Sequence, residues 1–313
     1  MVTSSESAER RPSNHSSSNP GLAIAAAALV GVQVGAAAVA SRFVIAETDP
    51  IMLGLLRYAV GVLCLAPFVL VAPRPRFATR DLAPMAVLGI TQFAILIILF
   101  NIALQNIPAG RVALVFASFP LQTMLLAAIL GRERLTPARG AGVLITMAGV
   151  ALALGEKAFA GPSNASWWGE AAAFGAALCG AVCSVLYRPY LQRYPALAVG
   201  AFAMLASVVF LAVAAGILGS LAPWPSLSWR GIAAVLFIGA SSGIGYVALL
   251  WAYARTTPTR VTIFQALAPP TAAALGWGFL GEPVSTTFLA GIAVVIFGIA
   301  LAHWPNFAAS KNR

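Results

Sequence analysis

Charge is what this 313-residue chain has least of. Only 9% of its residues are Asp, Glu, Lys or Arg, against 60% apolar, and the mean hydropathy is +0.89. A soluble domain carries about 25% charged and about 45–50% apolar residues. That scarcity excludes an ordinary water-soluble enzyme, a disordered chain and a nucleic-acid binder. Acids number nine and histidines two, His15 and His303, both towards the tails. Hydrolytic or redox chemistry at a membrane face needs such groups clustered, so an enzyme is not expected. The three cysteines, Cys64, Cys179 and Cys183, lie inside apolar runs with no His or acid at ligand spacing. They read as small packing residues and imply neither a metal nor a disulfide framework. A G-x-x-x-x-G-K-[ST] loop is also missing, which excludes an ATP-driven pump. No cofactor is implied.

Long apolar runs fill the rest. A membrane-spanning helix needs about 20 apolar residues, and ten such runs occur, near 21–41, 51–72, 83–105, 112–131, 137–155, 168–188, 196–219, 231–253, 261–280 and 286–304. The expected fold is therefore an all-α integral membrane protein of ten transmembrane helices, with the lipid bilayer as its solvent. Residues 1–20 are Ser-rich and polar and read as a disordered cytoplasmic tail, with a second short tail at 305–313. The connections are too short for a soluble domain.

The net charge of +10 finds its use in topology. With the N-terminus inside, fourteen Lys and Arg residues fall to the cytoplasmic side and only Arg42, Arg111, Lys157 and Arg230 to the other. That bias follows the positive-inside rule and places both termini in the cytoplasm of a multi-pass plasma (inner) membrane protein. Trp167, Trp168, Trp224, Trp229 and Trp304 fall near span ends, where an interfacial aromatic belt would put them.

Slid along itself, the chain matches 111–153 to 260–302 at a constant offset of 149, with twelve identities. Shared Ala and Leu mean little in this composition. Arg111/Arg260, Pro120/Pro269, Glu133/Glu282, Gly142/Gly291 and Gly149/Gly298 mean more. Five spans per copy is an odd number, so the second copy lies upside down relative to the first. Inverted repeats characterise secondary transporters, whose substrate sites lie near the midplane between the halves.

These residues resemble a known family. Pro120, Gly131-Arg132-Glu133, Gly142 and Gly149, repeated as Pro269, Gly281-Glu282-Pro283, Gly291 and Gly298, are similar to the EamA-type module of the drug/metabolite transporter superfamily. Arg57, in Leu-Gly-Leu-Leu-Arg-Tyr, resembles the arginine which that family carries early in its second span. The first span departs, with Gly31-Val32-Gln33 where the family has an aromatic and an Asn. The resemblance covers 21–155 and 166–304 as two five-helix modules. It implies a central cavity and movement of amino acids or other small metabolites.

Polar groups inside spans are costly and tend to face a cavity or another helix. Here they are Gln33, Arg57, Gln92, Asn101, Ser118, Gln122, Ser241, Ser242, Tyr246 and Gln265, without an acid among them. The amides both donate and accept, which suits a zwitterionic or neutral polar ligand, although interhelical bonding would use them equally well. Gln33, Arg57, Gln92, Asn101, Ser118, Tyr246 and Gln265 form the expected substrate-binding set. Arg57 could pair with a ligand carboxylate, with carbonyls at a helix end, or snorkel. Glu133 and Glu282 stand at span ends, where a helix dipole disfavours a carboxylate, so they are expected to clamp backbone N–H groups of the following turn. Gly31/Gly35 and Gly239/Gly243 are expected to be packing pairs. The expected function is export of small metabolites; a lipid-linked substrate flippase, or its assembly component, is the alternative.

Overall fold

The computed structural model describes residues 20–42, 44, 47–73, 75–106, 112, 115–154, 167–221, 226–280 and 286–303. Both polar tails, Arg111, Lys157, Trp224, Glu282 and Trp304 lie outside them. Among the described residues there is no strand; in hydrocarbon a helix satisfies its backbone groups within one segment. The helices are α1 (Pro20–Arg42), α2 (Pro50–Val71), α3 (Thr79–Ile90), α4 (Leu96–Asn106), α5 (Phe119–Ile129), α6 (Pro137–Leu154), α7 (Trp167–Leu186), α8 (Arg188–Leu191), α9 (Ala196–Ile217), α10 (Trp229–Arg255), α11 (Pro258–Thr262), α12 (Ala268–Leu280) and α13 (Thr286–His303). Among the described residues, six helical stretches are long and apolar enough to cross a bilayer. Large apolar side chains stand outward along them, including Leu63, Phe68, Val71, Val209, Val213 and Ile217. A surface so apolar faces lipid.

Local sequence sets the boundaries. Asp49 caps α2, its carboxylate accepting from the Ile51 and Met52 N–H groups, with Pro50 in the first turn. Ser228 caps α10, accepting from the Gly231 N–H. The third expected span starts earlier than 83, because Thr79, Arg80 and Asp81 already form its first turn. One π-helical turn, Thr91–Ile95, joins α3 to α4. Pro120 and Pro269 each stand second in a helix that follows an interruption, a turn at 117–118 in one case and a 3-10 segment, Ile263–Leu267, in the other.

The Gly131-Arg132-Glu133 motif has a structural explanation. Gly131 adopts φ 65°, its N–H bonds to the Ala128 carbonyl, and the Arg132 N–H reaches back to Ala127. This pair of bonds closes α5 with a Schellman cap, which favours glycine at the left-handed position.

Helix packing is paired throughout. α1 lies on α10, as α4 lies on α7; α2 lies on α10, as α3 lies on α9; α1 meets α12, as α7 meets α5; and α2 meets α9. The closest seam joins α6 to α13. A methyl group on Gly142 would sit 2.5 Å from the Ala302 nitrogen, and one on Gly291 would strike Ala153. A methyl on Gly149 would lie 2.6 Å from the Val295 nitrogen, and one on Gly298 2.6 Å from the Thr146 nitrogen. Residues 149 apart therefore exchange roles across the seam, and the two helices run antiparallel. Gly31 and Gly35 pack on the 264–272 stretch, and Gly239 and Gly243 on α2, as the expected packing pairs.

Candidate functional site

α10 organises the centre of the bundle. Ser241, Ser242, Gly245 and Tyr246 follow one another over little more than a turn, midway along a helix about 40 Å long at 1.5 Å per residue. Gln33 on α1 donates from Nε2 to Ser241 Oγ at 3.2 Å, and its amide lies against Gly245, where a methyl group would be 2.6 Å from Gln33 Oε1. Arg57 on α2 donates from Nε to Ser242 Oγ at 2.8 Å. Its guanidinium carbon is 5.5 Å from the centre of the Tyr58 ring. Its two terminal nitrogens have no hydrogen-bond partner among the described residues. Four donor hydrogens on a fixed plane are thus left for another acceptor.

Tyr246 continues the site as an aromatic layer. Its ring centre is 4.3 Å from that of Phe93, which in turn stands 4.9 Å from Tyr58. On its other side Tyr187 lies 6.2 Å away. The Tyr187 and Tyr246 hydroxyls are buried and make no hydrogen bond of good geometry among the described residues. Phe93 belongs to the π-helical turn, and so does its neighbour Gln92, which is half-buried. π-turns widen a helix by one residue and recur at functional sites.

The remaining expected residues make no hydrogen bond to this group among the described residues. Ser118 Oγ accepts from Gln122 Nε2 at 2.9 Å within one helix turn, while Gln122 Oε1 is buried without a partner among the described residues. Asn101 on α4 and Gln265 on the 3-10 segment are half-buried, with no side-chain partner among the described residues. Gln33, Arg57 and Tyr246 are therefore brought together directly on α10, with Gln92 adjoining through Phe93. Reading the sequence missed Tyr58, Phe93 and Tyr187, whose aromatic character carries no signal in so apolar a chain.

Polar contacts also tie the helices at both ends of the bundle. At the end where α2 and α10 begin, Glu47 accepts from the Ser228 N–H at 2.8 Å and from the Ser228 hydroxyl at 2.7 Å. The hydroxyl first, and the amide with it, hold the Glu47 carboxyl below the usual glutamate range. At the opposite end, Tyr194 Oη accepts from the Ala78 N–H at 3.0 Å and donates to Asp81 at 2.7 Å. Arg193 completes that cluster, 3.2 Å from Asp81. Also at this end, buried Glu133 accepts from the Thr259 N–H at 3.2 Å, and Arg139 lies 3.5 Å from its other oxygen. This corrects the expectation for Glu133: its backbone partner is in α11, 126 residues away, not in its own following turn. The Schellman cap turns the chain enough for the carboxylate to leave its own helix.

No group of three or more His, Cys, Asp or Glu side chains able to hold a metal occurs among the described residues.

An apolar helical bundle with spans of this length defines a multi-pass membrane protein. The family comparison is more particular: the EamA-like transporter family matches residues 21–155 and again 167–304, and the chain belongs to that family. A protein of Streptantibioticus cattleyicolor named "Probable terminal-alkyne amino-acid exporter" is 31% identical over 232 residues, covering 74% of this chain and 75% of that one. The Escherichia coli K12 protein named "Uncharacterized inner membrane transporter YedA" is 28% identical over 264 residues, covering 83% of each chain. One solved crystal structure aligns with a TM-score of 0.74 at 24% identity, covering 91% of this chain and 96% of the other, and supports the fold alone.

Proposed function

We propose that this protein is a secondary transporter that exports amino acids or related small metabolites by alternating access around the α10-centred site. It sits in the inner membrane with both termini in the cytoplasm. Its ten spans form two inverted five-helix modules, 21–155 and 166–304. The exchanged glycine contacts between α6 and α13, antiparallel and 149 residues out of phase, support the inversion.

The observation that carries the cargo reading is Arg57. Its charge lies among apolar helices, bound at Nε to a neutral hydroxyl and with no partner among the described residues at either terminal nitrogen. A cation in that setting gains most from an anionic oxygen pair, and a carboxylate supplies one in bidentate geometry. Gln33, Gln92, Asn101, Ser118, Tyr246 and Gln265 add donors and acceptors for the rest of a zwitterion. The name of the Streptantibioticus cattleyicolor relative supports both the amino-acid class and the outward direction.

Vesicles reconstituted with the purified protein and loaded with a mixture of labelled amino acids test the reading. Efflux of at least one amino acid above protein-free vesicles is expected, reduced by Arg57→Gln. Absence of efflux for every amino acid, with movement of a lipid-linked substrate instead, would replace this reading with a flippase.

A further inference from the structure

We propose that the Glu47–Ser228 and Tyr194–Ala78 contacts are two copies of one latch, and that they gate the transport path alternately from opposite ends. This rests on the transporter reading given above.

The two contacts match piece by piece. Ala78 is the N-cap residue of α3 and Ser228 the N-cap residue of α10. Each offers its own backbone N–H, the donor that a helix start leaves free of helical bonding. Each N–H is taken by a side-chain oxygen from the loop leading into another helix. Glu47 stands three residues ahead of Pro50, where α2 begins, and Tyr194 two residues ahead of Ala196, where α9 begins. α2 and α9 are both 22 residues long and pack on each other. Each latch joins one matched module to the other.

The copies differ in strength. Glu47 binds Ser228 twice and is solvent-exposed in its contacts. Tyr194 is itself held by Asp81, which Arg193 also binds, and the Phe77 ring packs on Tyr194 with ring centres 4.9 Å apart. Glu133 and Thr259 tie the same end a second time. The end with Asp81 and Glu133 is therefore the more firmly shut. Between the latches lie Ser241 and Ser242, so α10 meets one latch at its first turn and the polar centre midway.

The test uses the full-length protein with Cys64, Cys179 and Cys183 changed to Ala and a reporter, Ser241→Cys, common to every variant. A membrane-impermeant thiol reagent is applied from either face of oriented vesicles. Glu47→Ala should raise labelling from the Glu47 face, on the order of fivefold, and lower it from the other. Tyr194→Phe, which removes both bonds and keeps the ring, should do the reverse. The double variant should return towards the parent ratio, a cancellation that loss of stability cannot produce. Glu47→Gln and Asp81→Asn, which keep an acceptor in place, should show the same signs at smaller size if the first pair folds poorly. Changes of the same sign in both variants, or none in either, would overturn the latches. Labelling needs no cargo, so latch-dependent switching without amino-acid efflux would overturn the cargo reading and leave the latches standing.

Discussion

Arg57 and Glu47 show how different surroundings give a lone charge different work. Among the described residues no acid pairs with Arg57, and Ser242 occupies only its Nε. Arg57→Lys keeps the charge and removes the planar fork, so transport of a carboxylate-bearing cargo should fall more than that of the matching amide. Arg57→Gln should lower it further, and efflux rates for an amino acid and its amide in both variants check this. Equal losses for the two cargoes would make Arg57 a packing residue. Glu47 is half-buried, and its hydrogen bonds with Ser228 lower its pKa from the ordinary value. A carboxyl lowered in the folded state adds stability above its unfolded pKa and loses it as the pH falls through the folded one. The difference in Tm between wild type and Glu47→Gln should therefore stay constant above about pH 5.5 and shrink below about pH 4. Thermal unfolding in detergent across that range measures it.

At the scale of elements, the caps and seams explain the sequence motifs. Gly131 holds φ 65° in the Schellman turn, so Gly131→Ala should cost about 1–2 kcal/mol and loosen the approach of Glu133 to α11. Glu133→Ala should cost more than Glu133→Gln, since Gln still offers an oxygen to the Thr259 N–H. Denaturation of the three variants in one detergent ranks them. At the α6–α13 seam, Gly142→Leu has no space to enter, because even a methyl meets the Ala302 backbone; a loss of roughly 1–3 kcal/mol or outright failure to fold is expected.

The elements were largely readable from sequence, because apolar runs of spanning length and prolines at helix starts are local signals. The Gly-x-Glu motif was visible too, but its partner was not. Thr259 is 126 residues from Glu133, and Ser242 is 185 from Arg57. Nothing in a run of apolar residues says which serine faces which arginine; helix packing decides that. The π-turn at Gln92 was hidden for a different reason, since one extra residue in a turn leaves no mark on an apolar pattern.

For the whole molecule, the proposed inversion makes a prediction independent of cargo. Arg134→Cys, exposed in the loop after α5, should be labelled only from the cytoplasm, and Ser226→Cys, exposed ahead of α10, only from outside. Labelling of both from one face would end the inversion. The sidedness expected in this test follows from the Lys and Arg asymmetry of the loops.

The seam between α6 and α13 has a mechanical consequence. Glycines at 142, 149, 291 and 298 bring the two backbones into contact, each facing a small or β-branched residue of the other helix: Ala302, Val295, Ala153 and Thr146. Because the contact reads the same from either helix, its midpoint is a natural fulcrum, and a tilt that spreads one end must close the other by the same amount. A seesaw balanced in this way needs little energy at its pivot. What sets its resting position is the load at each end.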